Sequence, residues 1–308
     1  TPLYSSAASD VYKRQFYKHV LIRTLSIFIA GSFIHAFPFI QQDWDWGNYR
    51  IMGVLQRIAL AYGIAAIMVI HLDLKKIFIS GVGILLAYWG ILWLGGGSAP
   101  YSLETNFIRK IDIMLLGASH LYGGTGIQFD PEGLLSTIPS VVTVLMGYLV
   151  GSMLHTTKDF LDNVKRMSTF GIISIIIGLI WGLIFPINKQ LWTSSYVLLT
   201  GGIATLSLSL LCYVIDIKKW KKPLWVFQIF GTNSIFLFVL SGFWTKIILK
   251  IKFTLEGEPI SGYGYLYKTL FVPFAGDMFG SLLFALAHLL GFWLILLWLY
   301  KKLSLIHI

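Results

Sequence analysis

The sequence predicts an all-α fold, a polytopic transmembrane helical bundle of about eight spans, and three observations predict it. Hydrophobic residues make up 56% of the chain and charged residues 12%, with a mean hydropathy of +0.74. Soluble domains carry about 25% charged residues, so so few charges cannot clothe a core in water. Apolar stretches of about 20 residues, enough to cross a bilayer, recur along the whole chain. Positive charge is spread over alternate connections rather than gathered in one basic domain. The net charge of +10 therefore does not point to nucleic acid.

The spans fall at roughly 20–40, 50–71, 77–95, 134–154, 168–187, 193–215, 224–249 and 280–300. A membrane β-barrel would show alternating segments of about ten residues instead. One set of connections carries Lys13, Arg14, Lys18, Lys75, Lys76, Lys158, Lys165, Arg166, Lys218, Lys219, Lys221, Lys222, Lys301 and Lys302. The other carries half as many: Arg50, Arg109, Lys110, Lys189, Lys250, Lys252 and Lys268. The positive-inside rule puts the richer set, and both termini, in the cytoplasm. Segments 41–49, 96–133, 188–192 and 250–279 then face outside. The single cysteine, Cys212, falls inside a span. No intrachain disulfide is possible and no metal cluster is suggested.

The two ends stand apart. "SSAASDVYKRQ" and the terminal "LSLIHI" look like translated sequencing adapter. Residues 1–15 are expected to be a non-native leader and 303–308 a non-native tail, flanking one membrane domain at 16–302. The native chain is expected to continue upstream of Phe16.

The long outer segment 96–133 contains "KIDIMLLGASHLYGG", too apolar for disorder. It is expected to fold back over the outer mouth of the bundle. At its end, "FDPEGLLSTIPS" sets Asp130 and Glu132 before an apolar run. Asp is a favoured N-cap, Pro131 suits a first helical position, and Glu132 would meet the positive end of the helix dipole. The same carboxylates could instead serve chemistry, and spacing leaves both readings open. Arg50 and Arg57 in "RIMGVLQRIALAY" are seven residues apart on one helical face, about 10 Å along the axis. Arginine inside a span faces a polar interior or a partner, or snorkels to the interface. Gln56 beside it is placed to hydrogen-bond across helices.

His120 lies in the folded outer segment, where substrate contact and a structural role are both open, and His35 lies near the outer end of the first span. His288, mid-span, reads as a helix contact. "FGTNSIF" puts Asn233 and Ser234 inside the seventh span, where interhelical hydrogen bonding is expected. "FPINKQLW" is a short outer turn whose one charge is Lys189. The cluster of Lys218, Lys219, Lys221 and Lys222 could bind a phosphorylated cofactor, or mark topology and anionic lipid. No phosphate loop, zinc-protease, serine-hydrolase or dithiol motif occurs. Composition and spacing stop at a polar site on the outer side of a helical bundle.

The order and spacing of "GVLQRIALAY", "IDIMLLGASHLY", "FDPEGLLSTIPS", "INKQLWTSSYVLLT" and "FGTNSIFLFV" resemble the heparan-α-glucosaminide N-acetyltransferase family over residues 16–302. The resemblance implies an enzyme moving acetyl from cytosolic acetyl-CoA to a glucosamine amine across the membrane. Its catalytic candidates are Glu132, Asp130 and His120. Arg57, Asn188, Lys189 and Asn233 are candidates for the substrate, and Lys218, Lys219, Lys221 and Lys222 for the cofactor. The implied partners are the lipid bilayer and an amino-sugar or glycan substrate, with no nucleic acid and a homodimer left open. The implied location is a bacterial cytoplasmic membrane. The family's catalytic histidine lies upstream of everything matched, so the chain alone is expected to be inactive. Met52 also departs from the proline common before "GVLQR". An amino-sugar transporter and an O-acetyltransferase of a cell-envelope glycan are the alternative functions.

Overall fold

The computed structural model describes residues 2–38, 45–154, 156–220 and 224–302, with side chains from residue 13 onward. Among these, seven helices are long and apolar enough to cross a membrane, or eight if a bent pair counts as one span. Two compact units divide the chain: Thr1–His35 with Gln42–Trp220, and Ala36–Gln41 with Lys221–Ile308.

The first unit holds α1 (Pro2–Ala36), α2 (Val54–His71), α3 (Leu74–Gly95), α4 (Phe107–Leu116), α5 (Leu134–Met153), α6 (Phe160–Gly182) and α7 (Ser194–Cys212). Polar residues set most helix starts. The side chains of Asp73, Asn106, Asp159 and Thr193 accept hydrogen bonds from the first-turn amides of α3, α4, α6 and α7, as N-caps do. Two helices start after a glycine with no side-chain cap from their own segment: α2 after Gly53 and α5 after Gly133. Neither Asp130 nor Pro131 therefore starts α5, which corrects the capping reading of "FDPEG".

The central helix is α5. Its Val141 and Leu145 pack with Ala61 and Ala65 of α2 and Ile77 of α3. Val142 and Met146, on the neighbouring face, meet Leu85 of α3 and Val197 of α7. Small residues let helices approach closely in an apolar medium, where dispersion rather than water expulsion drives packing. Gly171 and Gly178, two turns apart on α6, show this against α7. A Cβ on Gly178 would stand 2.7 Å from the Leu199 backbone nitrogen, and one on Gly202 2.7 Å from the Gly171 carbonyl oxygen. Away from these contacts the spans expose Leu and Ile, with Leu183 84% exposed, as lipid-facing surfaces do.

Segment 96–133 folds back as expected. Ile108 of α4 and Phe129 are fully buried with Tyr88, Leu92, Phe185 and Leu191, roofing the ends of α3 and α6. The Tyr88 hydroxyl donates to Leu191 O at 2.5 Å, tying α3 to the turn before α7.

The second unit holds α8 (Trp225–Thr232), α9 (Ser234–Lys250), β1 (Lys252–Leu255), β2 (Glu258–Ser261), α10 (Gly262–Leu266) and α11 (Val272–Lys301). The span expected at 224–249 is broken: α8 and α9 meet at 76°. Asn233, at φ −132° and ψ 37°, interrupts the helix. Segment 250–279, expected as an outer loop, is instead ordered structure. β1 and β2 pair antiparallel with Phe253 opposite Ile260. Glu256 and Gly257 turn at φ 53° and 84°, positive at both central positions as a tight hairpin requires. The apolar run beyond it covers Gly262–Lys301, longer than the expected 280–300, and turns at Gly276 with φ 70°. His288 donates through Nδ1 to Phe284 O at 2.9 Å and packs its ring 4.3 Å from that of Phe284. The His288 ring also lies 6.2 Å from that of Trp244 in α9 and 5.7 Å from that of Tyr263 in α10, the helix contact expected.

Candidate active site

The site is built on the stretch that joins the roof segment to α5. Asp130 is fully buried, and both its oxygens are taken by one guanidinium: Arg50 Nε donates to Oδ2 at 2.9 Å and Nη2 to Oδ1 at 2.7 Å. The same Nη2 donates to Glu132 Oε2 at 2.8 Å. A two-pronged arginine–carboxylate pair is the strong form of this bond, because planar donors meet planar acceptors. Asp130 Oδ1 also accepts the Glu132 backbone amide at 3.0 Å, which folds the two carboxylates toward one arginine. Burial opposes the charge on Arg50, but its hydrogen bonds and the charges of Asp130 and Glu132 outweigh burial and raise its pKa. The Tyr122 ring lies 4.7 Å from this guanidinium and covers one face.

Arg57 works one level deeper. It is buried, and Nη2 donates to Pro131 O and to Ser136 Oγ. The Trp192 ring lies 4.8 Å from its guanidinium carbon, and that indole donates Nε1–H to Thr143 Oγ1 at 3.3 Å. Arg57 is thus fixed by protein on several sides and does not snorkel. Gln56, expected to bond across helices, does not. Both its amide atoms are buried without a protein partner, with Oε1 lying against Gly31 and Gly53.

Two histidines hold the chain around Arg50. His35 Nδ1 donates to Arg50 O at 3.1 Å and His120 Nδ1 to Tyr49 O at 2.7 Å. A backbone carbonyl can only accept, so each ring carries its proton on Nδ1, and Nε2 is the basic nitrogen of the neutral form. The Ile51 amide donates back to His120 O. His120 therefore belongs to the frame of the site.

Asp112 on α4 was not among the expected site residues. It is fully buried, and its Oδ1 accepts the amides of Leu134 at 3.1 Å and Leu135 at 3.2 Å. It supplies from another helix the cap that α5 lacks. Gly133 makes the approach possible, since a Cβ there would overlap Asp112 Oδ2. Burial drives the Asp112 carboxyl up to about 6, with the nearby charge of Asp130 adding and the two amide bonds and Arg57 opposing. The signal in the sequence was one acid inside the apolar "KIDIMLLG". Its partner amides lie over twenty residues away, beyond any local pattern.

Other expected residues stand apart from this cluster. Asn188 Oδ1 accepts the amides of Gln190 and Leu191 at 2.8 and 3.1 Å, shaping the turn that delivers Trp192 to Arg57. Lys189 is exposed beside it. Asn233 belongs to the second unit, with Oδ1 buried and lacking a partner. Lys218 and Lys219 are exposed at the end of α7's extension, with Lys218 Nζ 5.6 Å from the Tyr213 ring. Lys221 and Lys222 lie outside the described residues.

These observations define a multi-pass helical membrane protein that keeps a bundle of carboxylates and guanidiniums at one end of its first unit. No protein-family model matches the chain. The chain is similar to the heparan-α-glucosaminide N-acetyltransferases, the resemblance its motifs carry. It is 29% identical over 249 residues to that protein of Homo sapiens, covering 63% of this chain and 37% of the human one. Against the Mus musculus protein it is 34% identical over 161 residues, covering 47% and 23%. The chain thus spans well under half the length of the curated relatives it matches.

Proposed function

We propose that the chain forms part of a membrane-embedded acetyltransferase that moves an acetyl group from acetyl-CoA to the amine of a glucosamine-type sugar. The observation that carries the reading is the unequal use of two carboxylates. Asp130 is 0% exposed with both oxygens on Arg50, whereas Glu132 is 21% exposed and gives Arg50 only Oε2. Glu132 Oε1 is left for a cation.

A sugar amine arrives as an ammonium ion, which a carboxylate attracts. To react it must lose a proton, which Glu132 accepts. The neutral nitrogen attacks the thioester carbonyl, a C–N bond forms, the C–S bond breaks, and the departing thiolate takes up a proton. Arg50 keeps Glu132 oriented while its charge is shared with Asp130. The similarity to the named acetyltransferases supports an acetyl donor, which we take to be acetyl-CoA entering from the cytoplasmic side. The positive-inside count supports the Arg50 end as the outer one.

The bent pair α8–α9 favours one other reading, an amino-sugar transporter, because broken helices form binding sites in that class. Labelled acetyl-CoA separates the two. The full-length protein in proteoliposomes should leave label on glucosamine as an amide. Uptake of unmodified sugar with no labelled amide would overturn the proposal.

A further inference from the structure

We infer that Asp112 is the positioning residue of the site: from α4 it caps α5 and thereby sets where Glu132 stands relative to Arg50. This rests on the reading of Glu132 as the amine-binding group. The segment from Asp130 to Ser136 is short, and its parts are held from three separate elements. Arg50, just before α2, takes the carboxylates at 2.7 to 2.9 Å. Arg57 in α2 takes the Pro131 carbonyl and the Ser136 hydroxyl. Of these three side chains only Asp112 accepts backbone amides, those of Leu134 and Leu135.

The division of labour has a physical reason. The two arginines draw on acceptors and cannot satisfy the free N–H groups at the start of α5, and α5 has no side-chain cap of its own. Without Asp112, Gly133 would let the segment choose among several conformations, since glycine resists few. Asp112 also brings negative charge to the positive end of α5. The charged groups that bear on it are Arg57 and Asp130, with Tyr88 on α3 also in its field. Its Oδ2 has no protein partner and is closed in by Gly133. The carboxylate therefore has one seat, with no alternative bond to slide into.

The test compares Asp112→Asn with Asp112→Ala in the full-length protein. Asn caps about as well as Asp, and Ala does not. In Asp112→Ala, exchange of the amides at 134–137 should quicken roughly fivefold or more, the loss of one cap. The KM for glucosamine should rise on the order of tenfold while that for acetyl-CoA stays put, because a carboxylate misaimed by about 1 Å binds the amine poorly. Asp112→Asn should restore both values toward wild type. Unchanged exchange in Asp112→Ala would overturn the cap. Faster exchange with an unchanged sugar KM, or with both KM values raised equally, would overturn the positioning role. Where Asp112→Ala does not fold, Gly133→Ala serves, since its Cβ evicts Asp112 without touching a charge, and it should give the same KM split. Glu132→Gln tests the underlying reading separately. If it leaves the sugar KM unchanged, that reading fails whatever the exchange data show.

Discussion

The residue scale is where the two neighbouring acids part company. Glu132→Gln removes a partly exposed charge bound to Arg50 through one oxygen. It should cut acetyl transfer roughly 10²-fold or more, the low end for general-base catalysis, while the melting temperature stays near wild type. Asp130→Asn should do the reverse damage. It strips charge from a fully buried partner of Arg50, and because Arg50 is 26% exposed and keeps Glu132, the cost should fall below about 3–5 kcal/mol, that of breaking a fully buried pair. A thermal melt in detergent checks it, and an unchanged melting temperature would show the pair to be idle. Spacing alone suggested the opposite for Asp130, because Asp followed by Pro is a ready helix start. Nothing local announces that an arginine eighty residues upstream claims both oxygens. Asp112 gives a second residue-scale expectation. Its folded-state pKa is raised from 3.8 to about 6, so the folded protein holds this proton more tightly than the unfolded chain does. The associated stability is present in full below about 4 and is lost as pH rises through 6, roughly 3 kcal/mol in all. Asp112→Asn should flatten that limb, gaining melting temperature over wild type at pH 7.5 but not at pH 4. A gain of equal size at both values would show that the carboxyl is not the group involved.

At the scale of elements, the spans were legible because length and hydropathy fix them before any tertiary contact. α2, α3, α5 and α7 stand where apolar runs placed them, and α6 starts eight residues before the expected 168–187. What escaped were the features decided by partners. The break at Asn233 looked like one continuous span, since Asn and Ser are tolerated inside membrane helices and only the bend of 76° separates α8 from α9. The hairpin at 252–261 was hidden in a segment read as loop, although Glu256 and Gly257 make its turn. Glycine spacing was legible in principle: Gly171 and Gly178 lie seven apart, but only the structure names α7 as the partner. Gly178→Ala should push α6 from α7, because its Cβ meets backbone at Leu199 and Ser195 rather than a side chain that can swing away. Overpacking of this kind costs typically 1–3 kcal/mol. Gly83→Ala, where a Cβ meets nothing within 4 Å, is the control and should melt like wild type.

At the scale of the whole molecule, orientation follows from the charge of the connections. The ends of α3 and α6 and the starts of α2, α5 and α7 gather at the Arg50 end, where the roof segment lies. The opposite end carries the lysine-rich set: Lys158 lies between α5 and α6, and Lys75, Lys76, Lys165 and Arg166 lie in the first two turns of α3 and α6. From the retention of basic residues on the cytoplasmic side we propose that the Arg50 cluster faces outward, where an extracytoplasmic sugar would reach it. Thiol labelling decides this cleanly because the chain has one cysteine, Cys212, which Cys212→Ser removes. Ser98→Cys, at an exposed turn after α3, is a better reporter than Gly97, whose φ of 67° disfavours any side chain. Lys158→Cys, exposed between α5 and α6, reports the other end. A membrane-impermeant maleimide added to intact cells should label Ser98→Cys and reach Lys158→Cys only after the membrane is opened. The reverse pattern would turn the molecule over and leave Glu132 facing the cytoplasm, on the side of the acetyl donor rather than of an external sugar.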